Sequence, residues 1–275
     1  MARKELHYFG SDLIYHDPPR SLENYLDHFR KCPADATWVG EASTWLLISQ
    51  RAAAEVATFT RGNAKIILQL REPLSWLQSL HSHLLFTGDE EIADLGAAIE
   101  AEADRAAGKR LPPWSIPRCA TAYRAHLSYA AQVQRWFDQF GRDRVKVLLL
   151  DDTKTDPRRT FQDILHFLEL PSEFPGMDAV LDASARSRNA NRTVWSRTVR
   201  NLVNRPENRR VLEGVDPAPV PGLGLAIRAA RRLNIRYKER APDPGAWKVA
   251  LRPQIAEEVA KLEALLGRDL SMWRS

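Results

Sequence analysis

Arg71 and Ser79 stand eight positions apart across a strand-to-helix junction. Side chains of this kind grip phosphate, because a guanidinium presents a planar fork of N–H donors and a hydroxyl adds one more. The junction reads Lys65-Ile-Ile-Leu-Gln-Leu-Arg71-Glu72-Pro73. Ile66 to Leu70 is short, mostly apolar and bounded by Gly62-Asn63 and Pro73, which predicts a central parallel strand with Arg71 at its carboxyl end. Ligands of open α/β sheets collect in the crevice beyond such strand ends. Pro73 suits the first position of a helix, where a missing N–H is harmless, and Leu74, Leu77, Leu80 and Leu84 give that helix one apolar stripe. Ser75, Ser79 and Ser82 fall on its opposite face. At about 1.5 Å of rise per residue, Ser79 lies about 9 Å along the axis from Pro73, within range of an anion that Arg71 also holds. On spacing alone the other reading is an arginine at a sheet edge and a serine facing water.

A second group stands at the start of the chain. Lys4-Glu5-Leu6-His7-Tyr8-Phe9 gathers a base, an acid, an imidazole and two aromatics in one short segment. With Gly40-Glu41-Ala42-Ser43, and then Arg71-Glu72-Pro73 and Ser79, the order of blocks resembles the sulfotransferases that use 3'-phosphoadenosine 5'-phosphosulfate (PAPS), particularly the heparan-sulfate type and its bacterial relatives. Later blocks extend the resemblance: Tyr129, Trp136, Phe137 and Phe140 before the predicted strand Val145 to Leu150, then Asp156-Pro157, His166-Phe167-Leu168 and the closing Leu266-Gly267-Arg268-Asp269-Leu270-Ser271-Met272-Trp273.

The resemblance implies a reaction and roles. Glu5 is the expected general base, Lys4 and His7 lie beside the acceptor, and Arg71 and Ser79 hold the 3'-phosphate of the donor. The acceptor is a hydroxyl or amine, with a carbohydrate or glycolipid favoured and peptide tyrosine and small alcohols also open, and PAPS is the co-substrate, with no metal. A sugar hydroxyl is a poor nucleophile, and a carboxylate in hydrogen-bond reach removes its proton as it attacks sulfur. The implied fold is α/β, a P-loop-NTPase-like parallel sheet flanked by helices, in one sulfotransferase-like domain over residues 1–275 with a helical part from about residue 195.

The family's phosphosulfate loop, a Lys-x-Gly-Thr-Thr type turn after the first strand, is expected before the Lys-Glu block. Neither that turn nor a Gly-x-x-x-x-Gly-Lys-Ser/Thr cradle occurs in the sequence, so the first strand and its loop are expected to be missing here. Gly222-Leu-Gly224 reads as a turn leading to Arg228, Arg231 and Arg232 on a helix. A late start of the reading frame, a truncated copy, or another segment filling the gap are the three explanations. The functional alternative is a catalytically impaired relative that binds the nucleotide or a protein partner only. Gly10, Thr44 and Leu46 also depart from the family pattern, which bears on acceptor contacts.

The elements that must position these groups follow from pattern and composition. With 44% hydrophobic and 27% charged residues in 275, the chain has the makings of a globular α/β domain. No apolar run is long enough to span a bilayer and no signal-peptide core opens it, so the cytosol is the expected setting. Cys32 and Cys119 lack metal-ligand spacing and read as buried, inert thiols. Arg186, Arg188, Arg192, Arg197 and Arg200 crowd one stretch with Asn189 and Asn191. A solvated basic loop and a nucleic-acid grip are both open to such a segment. The resemblance implies a lid near the nucleotide, and no nucleic-acid partner is expected.

Helices are predicted from Ser21 through Phe29, from Thr44 through Ala57, over 90–107 as an exposed element, from Cys119 to Phe140, after the Asp156-Pro157 cap with Phe161, Ile164, Leu165 and Leu168 inward, and from Arg252 to Leu266 with Gly267 ending it. Leu111-Pro112-Pro113-Trp114 is predicted to be a loop bordering the acceptor cleft, and 204–225 a surface connection with one short helical turn. Asp151-Asp152 invites a metal reading, which the adjacent cap outweighs. His81 is expected in the core.

Overall fold

The computed structural model describes residues 5–13, 21–112, 118–186, 192–213, 218–237 and 245–274. Lys4, Arg188, Asn189, Asn191, Pro113 and Trp114 lie outside them. The architecture is helix-rich α/β around a small parallel sheet. Strand β1 (Ile66–Leu70) pairs in parallel with β2 (Val145–Leu149), Ile66 opposite Val145 and Leu70 opposite Leu149. Parallel pairing demands a crossover, and after the helices Leu22–Asp27 (α1) and Ala52–Thr60 (α2) the third helix of the chain, Pro73–Thr87 (α3), begins it. The expected strand is therefore present, but not as a fully buried central one. Leu68 and Leu70 point into the core while Ile67 and Gln69 are exposed, the alternation of a strand with one covered face.

The core gathers Leu77, Leu80 and Leu84 of α3 with Tyr129, Val133, Trp136 and Phe140 of helix Tyr129–Phe140, and with Leu251, Ile255, Val259 and Leu262 of the long helix Ala246–Leu266. That last helix starts before the predicted Arg252 and runs through Pro253. Gly267 closes it at φ 65°, donating its N–H to the Glu263 carbonyl at 2.8 Å. Helix Pro157–Phe167 begins as its sequence says: Asp156 accepts the Arg159 N–H at 2.9 Å with Pro157 at the first position. Asp156→Ala is expected to cost about 1 kcal/mol in a urea unfolding titration, the worth of one N-cap. Asp151 and Asp152 serve the chain's end: Asp151 accepts the Trp273 indole N–H at 3.0 Å, and Asp152 pairs with both Arg268 nitrogens at 2.6 and 2.7 Å.

Several boundaries differ from expectation. Thr44 opens a short 3-10 turn, Thr44–Leu47, and does not cap the following helix, which spans Ala52–Thr60 behind Ser49, whose hydroxyl accepts the Ala52 N–H at 2.9 Å. The stretch 90–107 is two short helices, Leu95–Glu100 and Glu102–Ala106, with Leu95, Ala98, Ile99, Ala101 and Arg105 buried rather than exposed. Between Cys119 and Phe140 the chain makes two 3-10 turns before the α-helix starts at Tyr129. Pro206–Glu213 forms an eight-residue helix where a single turn is predicted. The thiols are half-buried; at Cys119 burial pushes the pKa up to about 12, which keeps it protonated. His81 is a core residue, its ring Nε2 2.8 Å from the Ile92 carbonyl.

Toward the C-terminus a separate antiparallel pair, β3 (Arg192–Val194) and β4 (Ile235–Tyr237), forms across three intervening helices among the described residues and packs on α3 through β3. Before β4 runs helix Leu223–Leu233, and after β3 helix Arg197–Val203. Arg200, expected in a basic loop, is buried and bonds the Leu85 carbonyl at 2.5 Å, while Asn204 bonds the Thr87 carbonyl. The two thus satisfy carbonyls that the end of α3 leaves open. None of the described helices is long and apolar enough to cross a membrane.

Candidate active site

Burial explains how the first block presents its polar residues. Leu6 is fully buried and Phe9 nearly so, which leaves Glu5 and His7 half-exposed on either side of Leu6. Tyr8 stacks on Tyr25 at 4.4 Å, and Phe9 meets Tyr25 and Phe59 edge-on at 5.4 and 5.3 Å. Such rings hold the segment by area and by quadrupole geometry. Burial, then the negative charge of Glu41 and the neighbouring Tyr8, push the Tyr25 hydroxyl pKa up. Glu5 and His7 both adopt the left-handed region, at φ 61° and 52°. For residues with a Cβ this is uncommon and costs free energy that surrounding contacts must offset.

Those contacts come from the second block. The Glu5 N–H donates to the Ala42 carbonyl at 2.9 Å and the His7 N–H to the Ser43 hydroxyl at 3.4 Å. The Glu5 carboxylate accepts from the Thr44 N–H at 3.2 Å and its hydroxyl at 3.5 Å, and His7 Nε2 lies 3.8 Å from the same oxygen. Two blocks separated by thirty-odd residues of sequence are thereby joined at Glu5, His7, Ser43 and Thr44. Gly10 has φ 83°, and a Cβ there meets Leu13 Cδ1 at 2.8 Å. Its N–H donates to Glu55 at 2.7 Å, so this position is filled by backbone and closed to an acidic side chain.

Arg71 is half-buried at the tip of β1, and the Tyr129 hydroxyl donates to its carbonyl at 3.0 Å. Glu72 caps α3 by accepting the N–H groups of Leu74 and Ser75 at 2.8 and 2.7 Å. These amides are therefore committed, and an anion at this corner is left to the Arg71 side chain. Arg71 Nε is buried and has no hydrogen-bond partner among the described residues. Ser79 is half-buried on the same helix face as Ser75 and Ser82.

Helix α3 connects the two halves of the arrangement. Arg71 stands just before its cap and Ser79 in its middle, whereas Phe86 and Thr87 at its far end share with His7 a cavity of about 280 Å³, to which Arg200, Arg231 and Asn234 also contribute. The cap role of Glu72 and the anchoring by Tyr129 and Thr44 escape sequence reading, since a glutamate N-cap is unusual and the other two act across the fold. Arg231 carried a visible signal, a basic helix after a glycine turn.

No protein-family model matches the chain, and no curated protein does. Among solved structures it is similar to the crystal structure of a sulfotransferase from Alicyclobacillus acidocaldarius, with a TM-score of 0.65 and 24% identity, covering 99% of this chain and 87% of that one. At that identity the likeness is one of fold.

Proposed function

We propose that the chain transfers a sulfuryl group from PAPS to a hydroxyl or amine, with a carbohydrate acceptor the leading case. The observation that carries this reading is the joining of the Lys-Glu block to the Gly-Glu-x-Ser block at Glu5, His7, Ser43 and Thr44, within the fold of a sulfotransferase. In this reading the Glu5 carboxylate takes the proton of the acceptor hydroxyl as its oxygen attacks sulfur. The bond from sulfur to the 5'-phosphate oxygen breaks, and adenosine 3',5'-bisphosphate leaves with that electron pair. His7 and Lys4 border the acceptor, while Arg71 and Ser79 hold the 3'-phosphate. An unpartnered buried Nε on Arg71 suits this role, because an oxyanion supplies the acceptor it lacks. A P-loop-like sheet, one domain over the whole chain and a cytosolic setting belong to the same proposal.

The donor assignment has a direct test. Arg71→Ala is expected to weaken binding of adenosine 3',5'-bisphosphate about tenfold to a hundredfold in a calorimetric titration, the worth of charge-assisted hydrogen bonds. Unchanged affinity overturns it. A second reading is a relative that binds the nucleotide without transferring the sulfuryl group. Bisphosphate binding without labelled-sulfate transfer to any of a panel of saccharides identifies that case.

A further inference from the structure

Beside the cavity that His7 borders lies a second one, of about 380 Å³, lined by Arg192, Arg228, Arg231 and Arg232 together with Phe86 and Ile235 among others. Among the described residues no carboxylate lines it. Arg228, Arg231 and Arg232 are exposed on helix Leu223–Leu233, and none of the four guanidiniums forms an ion pair with a described side chain. Four like charges around one concavity repel one another, and that repulsion is relieved when an anion enters. Guanidinium forks match the oxygens of sulfate and phosphate esters better than any other side chain does.

Position decides which anion this is. Phe86 and Arg231 line both cavities, so the arginine cleft opens beside the one that contains His7. Phe86 lies about 20 Å along α3 from Pro73, which puts the cleft at the end of that helix opposite Arg71. We infer that the arginine cleft is a subsite for a sulfate or phosphate ester already carried by the acceptor, which anchors there and extends its nucleophile toward His7 and Glu5. The substrate class is thus an anionic acceptor rather than a neutral alcohol. This rests on the transferase reading above.

The test uses the full chain and three probes: monosulfated lactose, lactose, and adenosine 3',5'-bisphosphate. The wild-type protein is expected to bind sulfated lactose at least about tenfold tighter than lactose. Arg228→Gln/Arg231→Gln/Arg232→Gln together are expected to abolish that preference while the bisphosphate affinity stays within about twofold. Arg231→Gln alone, on an exposed helix face, is expected to lower the preference severalfold and keeps the test readable if the triple variant does not fold. Equal binding of both sugars by the wild type overturns the inference. So does a triple variant that loses bisphosphate rather than sulfated lactose, since the cleft then serves the donor. Failure of the transferase reading has a different signature, an Arg71→Ala protein with undiminished bisphosphate affinity.

Discussion

Glu5→Gln is expected to lower kcat for sulfuryl transfer by about a hundredfold to ten-thousandfold, the range a positioned general base contributes. The dissociation constant for adenosine 3',5'-bisphosphate is expected to stay within about twofold. The substitution isolates proton abstraction because the amide keeps an oxygen in place of the one that accepts the Thr44 N–H at 3.2 Å. The tether between the two blocks through the Glu5 N–H and the Ala42 carbonyl is likewise untouched. A role confined to structure predicts the reverse: a lower unfolding midpoint, with kcat for the folded fraction unchanged. Single-turnover transfer with saturating PAPS, read beside a thermal melt, separates the two. His7→Asn serves as the companion, since it keeps a polar group beside the carboxylate oxygen 3.8 Å away but loses the ring that borders the cavity. An undiminished kcat in Glu5→Gln removes the base from the mechanism.

What the sequence discloses about this site is local, and what it conceals is tertiary. The strand Ile66–Leu70, the proline at the start of α3 and its leucine stripe are written in adjacent residues, and each appears where its pattern places it. The Asp156-Pro157 cap is equally self-contained. Thr44 misleads because serine and threonine are favoured caps, yet its N–H and hydroxyl are drawn to Glu5 by a contact thirty-nine positions away in sequence. The arginines around residue 197 read as a solvated run, but Arg200 is buried because the end of α3 offers it a carbonyl. The segment 90–107 fails for the same kind of reason: its alanines and acids read as a solvent-facing helix, while two of its charged residues find each other inside the protein.

Those two residues set the largest stability effect expected here. Glu90 is completely buried, and its carboxylate accepts from Arg105 at 2.7 Å, from the Tyr123 hydroxyl at 2.8 Å and from the N–H groups of Glu91 and Ile92 at 2.8 and 2.9 Å. Burial acts to raise the Glu90 pKa, but the Arg105 guanidinium, the Ile92 N–H and the Tyr123 hydroxyl together hold it below the ordinary value of 4.5. Arg105→Met removes the countercharge and leaves a carboxylate in the core, which is expected to cost about 3–5 kcal/mol in urea unfolding at neutral pH. Glu90→Gln/Arg105→Met removes both charges and is expected to recover part of that loss, because the penalty arises from the unpaired ion more than from the missing attraction. The pH dependence has a definite sign. A folded-state pKa below the unfolded value means that the wild-type contribution is full above about 4.5 and fades as pH falls through the lower folded value. In Arg105→Met burial acts unopposed by the guanidinium, so Glu90 protonates more readily and the variant has less to lose in acid. The gap in stability between wild type and variant is therefore widest near neutrality and narrows below pH 4.5. A gap that stays constant across that range, or a double variant no more stable than Arg105→Met, means that Glu90 and Arg105 hold the 90–107 segment by packing and not by charge.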